Sequence, residues 1–290
     1  MNLRLQGQLF CTFSFFVILV YLLGFSLDKK VEWLVLIALI TLLGIPHGAL
    51  DAILAKPLYK INSPMQWLIF LTAYLALAAA VVLIWWAAPT FFLIGFLIIS
   101  AIHFSTDIEG HFSRIYRFTY GSCILVLPAL LYAPEMHILF AFVAGEEAAN
   151  MVMAGLRPIA IPWLIASIFL AVAHIRKDRF SSVEFLAVIA VASFLPPLLA
   201  FTIFFCGMHG PRHIMRAYRF ANLDSGTALL KAMILPMIFV LGAFISAWVL
   251  FPSTQLDGQL IQILFVILAA LTVPHMLVID RLSHASSSGY

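Results

Sequence analysis

Residues 66–88 read QWLIFLTAYLALAAAVVLIWWAA, from Gln66 to Ala88, without one charged side chain. A bilayer core of about 30 Å needs roughly 20 apolar residues per helical crossing. This stretch is long enough, so it predicts a transmembrane helix. Eight further windows of the same character lie outward of it: Leu9–Leu27, Val31–Leu54, Thr90–Ser105, Ile115–Tyr132, Ile159–Ile175, Val183–Cys206, Leu229–Phe251 and Leu260–Ile279. Pro, Gly and charged residues separate them. The chain as a whole is 64% hydrophobic and 10% charged, whereas soluble domains carry about 25% charge, which excludes a soluble globular protein. We expect an all-α, polytopic transmembrane bundle of nine to ten spans, forming one integral membrane domain over residues 1–290. The first window follows Arg4 and no small-residue cleavage site comes after it, so it reads as a retained span rather than a signal peptide.

A net charge of +3 from 16 basic and 13 acidic residues, dispersed along the chain, excludes nucleic acid as a partner. Cys11, Cys123 and Cys206 sit in apolar stretches with no CxxC pair, and read as small buried hydrophobes.

The stretch Pro134–Gly155 is apolar but interrupted by Glu146 and Glu147, and reads as a short or broken crossing. Cytoplasmic loops collect Lys and Arg. Nine crossings distribute the basic residues eight to eight, and ten distribute them eleven to five, with the N-terminus inside. The ten-span count also brings the C-terminal ends of the histidine-bearing windows to one side, the cytoplasmic one.

Five of the nine histidines, His47, His103, His209, His213 and His275, fall at the C-terminal ends of apolar windows. An ionisable residue at membrane depth is costly and marks a cavity or a bound species. His111, His137, His174 and His284 lie beside charges or in connecting segments and read as interfacial. Asp51 follows His47 by four residues, and Asp107 follows His103 by four. On a helix this spacing shares a face, and a carboxylate there orients a ligating imidazole; a His–Asp pair at a helix end near headgroups is the alternative. The segment His209-Gly210-Pro211-Arg212-His213 has HxxxH spacing. Pro211 places a helix start there, with His209 ahead of it and His213 in its first turn, able to converge on one ion; a polar helix start at the interface, with Arg212 and Arg216 snorkelling to headgroups, is the alternative. Pro46 and Pro274 each precede a histidine and open the helix beside it. Imidazoles without thiolates suit iron, zinc or copper.

The segments GIPHGALD (44–51), AIHFSTD (101–107), CGMHGPRH (206–213) and VPHMLVID (273–280) resemble the bacteriorhodopsin-related-protein-like family of bacterial β-carotene 15,15'-dioxygenases. The resemblance extends from about Leu34 to Leu282. It implies a multi-pass enzyme of the cell inner membrane that uses Fe(2+) and O2 to cleave β-carotene at its central double bond into two molecules of retinal. It also implies a functional link to a rhodopsin that takes the chromophore. By position, the iron ligands it implies are His47, His103, His209 and His213. His275 is also matched, as a ligand or a supporting residue, while Asp51 and Asp107, each one turn beyond a histidine, are expected to support ligands and not to bind the metal themselves.

Two non-enzymatic readings compete, a transporter with intramembrane histidines and a retinal carrier. An intramembrane zinc protease would need HExxH, which is absent, and di-iron desaturase boxes need about eight clustered histidines, against a single HxxxH here.

Overall fold

A computed structural model describes residues 2–25, 27–221, 225–250 and 256–287, with backbone alone for His47 and for 282–287. Among the described residues there are thirteen α-helices and no strand. They are α1 (Leu3–Leu22), α2 (Lys29–Leu39), α3 (Asp51–Leu58), α4 (Pro64–Ala87), α5 (Pro89–Phe104), α6 (Arg114–Val126) and α7 (Ala133–Ala144). After them come α8 (Glu146–His174), α9 (Arg179–Phe194), α10 (Pro197–Phe204), α11 (Gly210–Phe220), α12 (Gly226–Leu250) and α13 (Leu256–Ser287). A π turn (Ile40–Gly44) and a 3-10 turn (Ile45–Leu50) join α2 to α3, and a second π turn (Phe205–His209) joins α10 to α11.

Local chemistry sets the helix starts. Ser63 and Gln66 form a reciprocal capping box at α4, with Pro64 in the first turn. Asp28, Ser113 and Asp178 accept backbone N–H bonds at the starts of α2, α6 and α9. Each such cap contributes about 1 kcal/mol.

The all-helical membrane architecture expected from the sequence is present, but with fewer crossings than nine to ten. Among the described residues, six helices are long and apolar enough to cross a membrane: Leu3–Leu22, Lys29–Leu58, Pro64–Ala87, Glu146–His174, Gly226–Leu250 and Leu256–Arg281. The pair Arg114–Ala129 and Ala133–Ala144, bent by 105°, makes a seventh if taken as one span. The difference has a physical cause. The window Thr90–Ser105 becomes α5, whose 16 residues fall short of a crossing. The window Val183–Cys206 is split at Leu195 and Pro196 into α9 and α10, both packed inside the protein. Their apolarity serves burial in protein rather than contact with lipid. By contrast α4 and α12 bury none of their residues and form the outer wall.

The stretch Pro134–Gly155 divides between two elements. Its first part is the half-helix α7, and its second is the opening turns of α8, which therefore starts well before Ile159. A helix that stops short leaves its last carbonyls without partners. At α7 they are met from outside: Trp85 Nε1 donates to Val143 O at 2.8 Å and Gln262 Nε2 to Phe142 O at 2.9 Å.

On α6, Gly121 lies against the end of α5, where an added Cβ would come inside van der Waals distance of the backbone of Ala101, Phe104 and Ser105. Backbone cannot step aside as a flexible side chain can. Gly121→Ala is expected to destabilise the protein by about 1–3 kcal/mol, measured by thermal unfolding in detergent; an unchanged midpoint would show that the close approach is dispensable.

Candidate metal centre

His103 ends α5, His209 closes the Phe205–His209 π turn, His213 lies in the first turn of α11, and His275 follows Pro274 inside α13. The helix start at Gly210, with Pro211 in the first turn, places His209 and His213 as the Pro211 rule predicts. All four side chains are buried. Ring centroids of His103 are 4.5 Å from His209, 5.0 Å from His213 and 5.1 Å from His275, and His209 and His213 are 4.4 Å apart. One ring nitrogen each from His103, His209 and His213 lies within 4.8 Å of the other two, the spacing of a group that can hold one metal ion.

His47 belongs to the Ile45–Leu50 turn, which packs on α11, α12 and α13; its side chain lies outside the described residues. π turns recur at functional sites because they re-aim side chains within an apolar helix, and here one precedes the His47 turn and the other contains His209.

The carboxylates reach histidines on other elements. Asp107 Oδ2 pairs with His209 Nδ1 at 2.8 Å, and Asp51 Oδ1 with His275 Nδ1 at 2.6 Å. A carboxylate only accepts, so each histidine donates Nδ1–H and carries its lone pair on Nε2. Tyr74 Oη donates to Asp51 Oδ2 at 2.8 Å, completing a Tyr–Asp–His chain across α4, α3 and α13. Tyr74 lies in the window that decides the fold, where its hydroxyl was hidden among apolar neighbours.

Arg212 does not follow the alternative in which it snorkels to headgroups. It is fully buried; its guanidinium donates to the Asp107 carbonyl, to Glu184 Oε1 and to Gln6 Oε1. Arg216 keeps more exposure and grips Thr106 O and Glu109 Oε1, both at 3.0 Å. Two arginines thus clamp the turn that carries Asp107. Gln6 and Glu184 were missed in the sequence, since each is a lone polar residue in or beside an apolar window. Two of the histidines read as interfacial find partners elsewhere: His137 pairs with Asn150 at 3.0 Å and His174 with Leu170 O at 3.1 Å.

The donor set fits a cation. Three imidazoles converge, and Asp107 Oδ1 is buried without a hydrogen-bond partner among the described residues, 3.6 Å from His213 Nε2. A buried carboxylate oxygen left this way is costly unless positive charge faces it; the Arg216 guanidinium, 4.0 Å away, supplies part of that charge, and a cation among the imidazoles would add to it.

A cavity of about 520 Å³ opens onto this cluster. His103, His275 and Asp51 form its polar end; Phe70, Phe96, Phe201, Phe205, Leu235 and Phe239 are among its apolar walls. It lies between the outer helices α4 and α12. Its size and lining are those of a small-molecule site.

The chain is thus a polytopic helical protein in which buried histidines that could hold a metal ion reach an apolar cavity at His103. The profile of the β-carotene 15,15'-dioxygenase family matches residues 38–283, and the chain belongs to that family. It is similar to a β-carotene 15,15'-dioxygenase of an uncultured marine bacterium, 66A03, at 28% identity over 272 residues, which span 89% of this chain and 96% of that one. No solved structure matches.

Proposed function

We propose that this chain is an iron- and O2-dependent β-carotene 15,15'-dioxygenase of the cell inner membrane, converting one β-carotene and one O2 into two molecules of retinal. The observation that carries the reading is the apolar cavity ending on the histidine cluster, in a chain of this family. Fe(2+) would be held by His103, His209 and His213, with His47 from the Ile45–Leu50 turn as fourth ligand and His275 beside them. When bound, the iron supplies the redox chemistry that lets O2 react with a closed-shell alkene. The chain's own residues do the rest. Asp107 fixes the His209 tautomer, and Asp51 fixes that of His275. The aromatic walls accept a rigid polyene and exclude water from the reacting end. Placement between α4 and α12 suits a substrate that arrives from lipid. Retinal leaves as a molecule that a rhodopsin takes as chromophore.

The test is expression in cells that make β-carotene. Loss of orange colour with gain of retinal is expected; a chain that binds metal and retinal but leaves β-carotene intact would be a carrier or transporter.

Tyr74→Phe keeps the cavity wall and removes only the bond to Asp51. Turnover should fall by roughly 10- to 100-fold, the worth of one hydrogen bond to a charged group at about 1.5–3 kcal/mol. Retinal formation by the purified variant measures this, and wild-type turnover would exclude Tyr74 from the site.

A further inference from the structure

We propose that Gln6, on α1 and outside the stretch that matches the family, is a positioning residue for the histidine cluster. The inference rests on the metal reading above and extends it to a helix that nothing assigns to the site.

α1 buries one narrow stripe, Gln6, Gly7, Phe10 and Ser14, and lays it against α9, α11 and the Phe205–His209 turn. Most of its other residues are exposed. Gln6 is only 3% exposed, and a primary amide so placed is costly unless both its ends are satisfied. They are. Nε2 donates to Gly207 O at 2.7 Å, and Oε1 accepts from Arg212 Nε at 2.9 Å.

These two bonds close a ring. From Gln6 the path runs through Gly207 along the π turn to His209, then to Asp107, then through the Asp107 carbonyl to Arg212 and back to Gln6. Both routes from the amide therefore end on the His209 ring, and one passes the residue next to His213. A π turn in an apolar helix has few ways to hold its shape; here a donor from a separate helix grips its carbonyl while the same side chain fixes the arginine that holds Asp107. Gly7 makes the approach possible, because an added Cβ there would land on the Glu184 carboxylate and the Phe180 ring. Neither Gln6, Gly207 nor Arg212 lines the cavity, so the amide acts on the metal end and leaves the substrate walls alone.

The experiment uses the full chain in detergent, with Co(II) as the metal probe. Wild type, Gln6→Leu and Gln6→Met are compared for Co(II) affinity and for the visible ligand-field spectrum, alongside thermal unfolding. Ser14→Ala serves as control, being in the same buried stripe but outside the ring. Both Gln6 variants should bind Co(II) roughly 10-fold more weakly with an altered spectrum, and kcat for β-carotene should fall while KM holds; Ser14→Ala should match wild type in affinity and spectrum. Methionine, matched to glutamine in length, keeps the test available where leucine does not pack. A merely structural residue would lower the unfolding temperature and leave the folded fraction with wild-type affinity and spectrum, which would overturn the proposal. Wild type that takes up no Co(II) would overturn the metal reading itself, and this one with it.

Discussion

His209→Ala is expected to weaken metal binding about 100-fold and to abolish most retinal formation. A four-ligand site of the zinc-finger kind is worth roughly 10–16 kcal/mol, so one ligand's share is about 3 kcal/mol, or ~100-fold in affinity. His209 is the proposed ligand whose loss should reach furthest, because its ring lies within 4.5 Å of both the His103 and His213 centroids and stacks on Phe205. Its removal also strands Asp107 Oδ2, its 2.8 Å partner. Metal analysis of the purified variant decides the matter. Full occupancy in the alanine variant would remove His209 from the coordination sphere.

Asp107→Asn is expected to lower metal affinity by roughly 10- to 100-fold, the usual cost of losing the group that orients a ligand. The substitution is nearly isosteric, so packing is kept and chemistry is changed. If the new amide turns its NH2 toward His209, the ring must accept at Nδ1 and carry its proton on Nε2, the wrong tautomer for a ligand on that side. If instead it turns its oxygen toward His209, the NH2 faces His213 Nε2, 3.6 Å away. Either way the negative charge that faces a cation is gone. Metal titration against wild type reads the effect, and an unaltered isotherm would show that the carboxylate charge plays no part.

The two carboxylates show what spacing reveals and what it conceals. Both Asp51 and Asp107 stand four residues after a histidine, which suggests a shared helical face. Neither pair lies in an α-helix. α5 stops at Phe104, and Asp107 N–H bonds back to Phe104 O in the turn that follows. His47 belongs to a 3-10 turn, where three residues rather than four complete a circuit. The aspartates therefore serve His209 and His275, far away in sequence. The histidine-bearing segments were legible because ionisable residues stand out in apolar windows. The half-helices were not, because hydropathy is the same for a helix facing lipid and for one enclosed by protein, as α9 and α10 are. The place of Arg212 was open for a related reason: a guanidinium beside a membrane helix looks like an interfacial anchor until Gln6, Glu184 and the Asp107 carbonyl are seen around it.

The donors that close the end of α7 come from opposite directions along the chain, Trp85 from a helix made before it and Gln262 from one made long after it. During synthesis the carbonyl of Phe142 meets this donor only after α13 has been made, and unpaired carbonyls are costly wherever lipid surrounds them. The bent α6–α7 pair thus has a birth order imposed on it. It can be inserted early, but the bond that closes its end forms only once α13 has been made.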